Sequence, residues 1–119
     1  MLRFEVKTVV DLQNATQAFC QHLEENSVPK DKVYDCRLVV NELVGNVLRH
    51  SDGWATFHGN VELDRVEIFV RSTENFFPPA KSNCSPVTAE SGRGLFLVDS
   101  VSVSRTVTPE GDIKVTLKY

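Results

Sequence analysis

Glu42, Asn46 and His50 follow one another at steps of four residues. On a helix each such step advances about 40° past a full turn, so the three share one flank. A carboxamide oxygen is a hard ligand that suits magnesium. A carboxylate one turn away can hold a water or receive a hydroxyl proton. Taken alone, the same spacing also describes an ordinary solvated helix face. Farther along, Ser91-Gly92-Arg93-Gly94-Leu95 sets two glycines at the mouth of an apolar segment. Glycine lets the backbone approach an anion closely, and the free N–H groups and positive dipole end of a starting helix receive phosphate. A lone Gly-x-Gly can equally be a tight turn. In this order, with a long loop between them, the two motifs together point to phosphate and metal chemistry.

Such residues need elements to hold them. Leu2, Phe4 and Val6 alternate with Arg3, Glu5 and Lys7, the period of a half-buried strand. Asp11 offers a helix N-cap ahead of Leu12, Ala15, Phe19 and Leu23 at helical spacing. Ser27-Val28-Pro29 breaks that helix. A second is expected from near Asp31 to around His50, before Asp52-Gly53. Its apolar stripe is Val33, Cys36, Val40, Leu43, Val44 and Val47, and the polar flank of Glu42 and Asn46 borders that stripe.

Two strands should follow, with Ala55, Phe57, Val61 and Leu63 on the first and Val66, Ile68 and Val70 on the second, turning at Asp64-Arg65. Residues 72–91 show no period and are rich in Ser, Asn, Thr and Pro, which suits a functional lid or a disordered stretch. Gly92 opens a short helix through Val101. Val103–Thr108 and Ile113–Tyr119 form a hairpin around Pro109-Glu110-Gly111. Strands and helices that do not simply alternate predict an α+β fold, a two-layer sandwich with helices on one face of a mainly antiparallel sheet. Neither a repeat nor a linker is visible, so residues 1–119 read as a single domain.

Composition narrows the function classes. Of 119 residues, 41% are hydrophobic and 24% charged, as in a globular domain, and the net charge is −3. No basic cluster provides a footprint for nucleic acid. No apolar run reaches the length of a membrane span, and no leader is apparent. Cys20, Cys36 and Cys84 are odd in number and widely spaced, and read as reduced thiols of a cytoplasmic protein. His22 and His58 have no partner at metal-ligand spacing. Trp54 reads as a packing residue. Phe76 and Phe77, before Pro78-Pro79, either close over a ligand or partner or anchor the loop.

Asn41-Glu42-Leu43-Val44-Gly45-Asn46-Val47-Leu48-Arg49-His50 resembles the N-box of the GHKL (histidine-kinase-like) ATPase superfamily. Ser91-Gly92-Arg93-Gly94-Leu95-Phe96-Leu97-Val98 resembles its glycine-rich box. The short chain and the Gly-Arg-Gly-Leu form look most like the anti-sigma-factor serine/threonine kinases. A sensor histidine kinase would need phosphoacceptor helices. The resemblance covers nearly the whole chain and implies the Bergerat ATP-binding fold, with ATP and magnesium as cofactors. Asn46 would be the magnesium ligand and Glu42 the general base toward a serine hydroxyl. Gly92, Arg93, Gly94 and Leu95 would lie along the phosphates, with His50 and Ser72 also in the nucleotide pocket. The implied partners are an anti-anti-sigma factor as substrate and a sigma factor, with a homodimer as the implied assembly.

One position departs from the pattern. The family carries an Asp-x-Gly after this strand, its Asp accepting a hydrogen bond from the adenine amino group. Here Ser72 stands for the Asp and Glu74 for the glycine. A neutral acceptor should be weaker than a carboxylate by roughly 1 kcal/mol or more. Three readings follow: a kinase, a degenerate partner-binding module with weak or no ATP binding, or a detached piece of a larger signalling kinase. The absence of an acceptor helix or linker disfavours the third.

Overall fold

Alternating side chains build the sheet, and the computed structural model, which describes residues 3–50, 53–73 and 96–119, shows how. The elements in chain order are β1 (Arg3–Val6), α1 (Val9–Glu25), α2 (Lys30–His50), β2 (Ala55–Val61), β3 (Arg65–Ser72), β4 (Ser104–Val107) and β5 (Ile113–Lys118). Residues 96–101 are also helical. The strands form one antiparallel sheet in the order β1-β2-β3-β5-β4. Because side chains alternate between faces, Phe4, Phe57, Val70 and Ile113 align across four strands on the side that receives the helices. Val66 and Leu117 pair on the same side. The opposite face carries Arg3, His58, Phe69 and Lys114 in one row. The α+β expectation therefore holds, with the helix layer on one face.

The α2 stripe enters the core as its spacing predicts. Val33, Cys36, Val40, Leu43, Val44 and Val47 are all buried, and Val39, outside the expected stripe, is buried with them. From α1, Phe19 and Leu23 join them without exposure, and Phe19 meets Phe57 edge-on with centroids 5.5 Å apart. Gly59 of β2 makes that packing feasible. A Cβ built there would lie 2.6 Å from Phe19 Cε1, so the ring occupies the space a side chain would fill. Among the described residues no helix is long and apolar enough to cross a membrane.

Two local expectations need correction. The N-cap of α1 is Thr8, not Asp11: Thr8 Oγ1 accepts the Asp11 N–H at 3.1 Å, while Asp11 Oδ2 accepts the Lys7 N–H at 3.1 Å. This reciprocal arrangement places Asp11 in the first turn, where a carboxylate favours the dipole. Next, Leu63 is fully exposed and outside β2, because the hairpin closes through Glu62 N–H to Arg65 O at 2.8 Å and leaves Leu63-Asp64 at the tip. As expected, α2 starts near Asp31, at Lys30, with Lys32 and Val33 both donating to Pro29 O at 2.9 Å. The break before it is a left-handed Ser27 (φ 63°), with Val28 N–H donating to Leu23 O and Ser27 N–H to Glu24 O, each at 3.1 Å.

Candidate functional site

A helix packed against a sheet has one flank inside, one outside, and two borders, and Glu42 and Asn46 occupy a border of α2. The structure separates their surroundings. Asn46 is 2% exposed and is one of three buried polar side chains among the described residues, with Thr16 and Thr116. Its Oδ1 accepts from Arg49 Nη2 at 2.7 Å. Glu42 is half-buried and faces an open groove of about 1220 Å³ between α1 and α2. Gln13, Gln17 and Gln21 of α1 line the other wall, at the same four-residue step. Thr16 crosses between the helices, with its hydroxyl 2.6 Å from Leu12 O and 3.4 Å from Asn41 Oδ1.

The donor chemistry of this flank fits magnesium. Asn46 Oδ1 already takes a cationic partner, and Glu42 supplies a carboxylate one turn away. No group of three His, Cys, Asp or Glu that could cage a metal exists among the described residues. Magnesium does not require one, since it keeps waters and shares its shell with substrate phosphates.

Ser72 is the last residue of β3 and pairs opposite Ala55. Counting along the strand, it lies on the same face as Ile68 and Val70, the helix side. The strand end is clasped by Thr73 N–H to Trp54 O at 2.8 Å and Trp54 N–H to Thr73 Oγ1 at 2.9 Å. His50 ends α2. Gly92, Arg93, Gly94 and Leu95 lie outside the described residues, as do Glu74, Cys84 and the aromatic pair Phe76 and Phe77. The structure thus brings Glu42 and Asn46 together on one helix and puts Ser72 on the helix side of the sheet.

Arg49 was missed from sequence, and so was Gly45. A glycine inside a helix is disfavoured by about 1 kcal/mol relative to alanine, which was the available signal. A Cβ at Gly45 would sit 3.2 Å from Arg49 Nη1, so the bare backbone leaves room for the guanidinium to fold back toward Asn46.

The remaining candidates resolve as packing. Burial pushes the Cys36 thiol up to about 12, with nearby Cys20 and Asp35 adding to the effect and Lys32 opposing it. Burial likewise raises Cys20. Neither thiol is poised as a nucleophile. Trp54 lies under Lys7 Nζ, 4.9 Å from the ring centre. His58 stacks on Phe69 with centroids 4.7 Å apart on the open sheet face.

Burial holds His58 below its ordinary 6.5, and Arg3 and Arg71 add to this against the opposing pull of Asp112. The unfolded chain therefore takes up this proton first. The stability contributed by neutral His58 is complete above 6.5 and is lost as pH falls through the lowered value. Urea midpoints at about pH 8 and about pH 5 should differ less in His58→Gln than in the parent. Identical differences in the two proteins would remove His58 from the acid response.

A family model described as the histidine kinase-like ATPase domain matches residues 6–117. No curated protein matches the chain significantly.

Proposed function

Because this chain belongs to the histidine kinase-like ATPase domain family and has its ATP-binding fold, we propose that it binds ATP with magnesium and transfers the terminal phosphoryl group to a protein serine or threonine. The observation that carries this reading is the buried Asn46 carboxamide, one turn from Glu42 on the border of α2. Burying an amide is costly unless it is hydrogen-bonded, and Asn46 Oδ1 takes a cationic donor there, as a metal ligand would take a cation. In the proposed role Asn46 Oδ1 holds the metal. Bound magnesium would neutralise phosphate charge and align the triphosphate. Glu42 takes the proton from the acceptor hydroxyl as that oxygen bonds to the γ-phosphorus. The bond from the γ-phosphorus to the bridging oxygen breaks, and ADP leaves with its electron pair. Gly92 and Gly94 would receive the phosphates on their backbone N–H groups, with Arg93 adding charge and Leu95 and His50 bordering the nucleotide.

By its motifs the chain acts as an anti-sigma-factor kinase in the cytoplasm. It phosphorylates an anti-anti-sigma factor, sequesters a sigma factor, and does so as a homodimer. Ser72 supports a second reading, in which the same fold binds partners with weak nucleotide affinity, since the adenine amino group meets a hydroxyl in place of a carboxylate.

Calorimetric titration with ATP, with and without magnesium, tests the first reading. The parent should bind, and magnesium should tighten binding. Asn46→Ala should lose the magnesium effect while the fold survives, its stability falling by about 1–3 kcal/mol from the lost hydrogen bond and the small cavity left behind. Unfolding of the variant would make Asn46 structural. No binding by the parent would leave the partner-binding module.

A further inference from the structure

Arg49 folds back along its own helix to reach an oxygen that the proposed function needs. Its Nη2 donates to Asn46 Oδ1 at 2.7 Å, and its Nη1 would lie 3.2 Å from a Cβ at Gly45. The contact joins two unlike residues. Asn46 is 2% exposed, while Arg49 is exposed and lines the groove between α1 and α2.

We propose that the Arg49 guanidinium is an internal cation that competes with magnesium for Asn46 Oδ1, making it a latch on metal–nucleotide loading. The proposal rests on the reading of Asn46 as the metal ligand and deepens it. A carboxamide oxygen has two lone pairs. A guanidinium nitrogen at 2.7 Å on one and a magnesium ion on the other would stand about 4 Å apart, both positive. Two cations that close, sharing one acceptor, repel strongly, so one must leave. The exposed arginine, with several rotatable bonds in its side chain, is the one that can. Loading magnesium–nucleotide therefore requires Arg49 to release Asn46, and the apparent affinity falls by the fraction of molecules in which the latch is closed.

Gly45 belongs to the same device. Any side chain there narrows the space in which the guanidinium lies, so the helix accepts its weakest interior residue at the one position over which Arg49 folds. Arg49 is thus a positioning residue of the site, acting through Asn46.

The test compares ADP binding by calorimetry in magnesium and in EDTA for the parent, Arg49→Gln and Gly45→Ala. The quantity read is the ratio of the two dissociation constants. Arg49→Gln should raise the magnesium enhancement by about three- to tenfold, as expected for removing a closed state that dominates the ensemble. Gly45→Ala, which keeps the charge but displaces the guanidinium by a few tenths of an ångström, should raise it less. The Asn46 side-chain amide resonances of the ligand-free protein should shift in both variants. A parent and variants with the same magnesium enhancement would overturn the latch while leaving nucleotide binding in place. Binding by Arg49→Gln but not by the parent would support the latch and make the parent a locked module. No binding by any of the three would overturn both readings.

Discussion

Glu42→Gln is expected to bind magnesium–ATP as the parent does and to transfer phosphate to a protein hydroxyl on the order of 10²–10⁴ times more slowly. The carboxylate is half-buried on α2 and opens onto the groove against α1, whereas Asn46, one turn later, turns inward. The two proposed roles require both groups to reach one triphosphate, and a single helical turn between them is short enough for that. Asn46 is buried, and Glu42 opens onto a groove through which another protein's hydroxyl could approach. Glutamine keeps the shape and the capacity to hydrogen-bond but cannot take a proton at neutral pH, so binding and transfer separate. Labelled phosphate from γ-labelled ATP, followed into the partner protein, provides the rate, and calorimetry provides the affinity. Equal rates in parent and variant would remove Glu42 as the base. A variant that also loses nucleotide would assign Glu42 to binding.

Phe19→Ala should cost about 3–5 kcal/mol, the range for truncating a fully buried aromatic. Phe19 has no exposure and lies edge-on to Phe57 at 5.5 Å and to Phe4 at 6.3 Å, so its ring joins α1 to the first two strands. Since domains are stable by only about 5–15 kcal/mol, the melting temperature should drop by roughly 10–20 °C. The contact with Gly59 gives the prediction a second arm. In the parent, Gly59→Ala pushes a methyl group to within 2.6 Å of the ring and overpacks the interface, at about 1–3 kcal/mol. In a Phe19→Ala background the same methyl enters the vacated space, and its cost should vanish or reverse. Urea denaturation of the two single variants and the double variant measures the coupling. Strict additivity would show that the ring and the glycine do not share that space.

Periodicity carried most of the architecture. The two strands on either side of Leu63-Asp64, the α2 stripe, and the terminal hairpin with its Gly111 at φ 92° all sit where alternation and turn residues place them. These features are local: a period of two or 3.6 residues records which side faces the core, whatever the core turns out to be. The motif residues were legible for the same reason, since a step of four on a helix fixes a shared flank before any neighbour is known. Errors arose where two local solutions competed. Thr8 and Asp11 both suit an N-cap, and only the reciprocal bonds with Asp11 N–H and Lys7 N–H decide between them. Leu63 fitted the alternation yet belongs to the turn, because cross-strand register with β3 closes the pairing at Val61.

By itself, then, the sequence determined the order of elements, the buried stripe, and the shared flank of Glu42 and Asn46. The tertiary structure alone decided how that flank divides. α1 lies along Glu42 and makes it a groove wall, Asn46 is buried, and the bare backbone at Gly45 lets Arg49 reach back to its oxygen. It also decided why residue 59 is glycine, since the reason is a ring forty residues earlier in the chain. Spacing along one element sets direction, but burial and close approach belong to pairs of elements. Those depend on helix-to-sheet distances that no local pattern encodes.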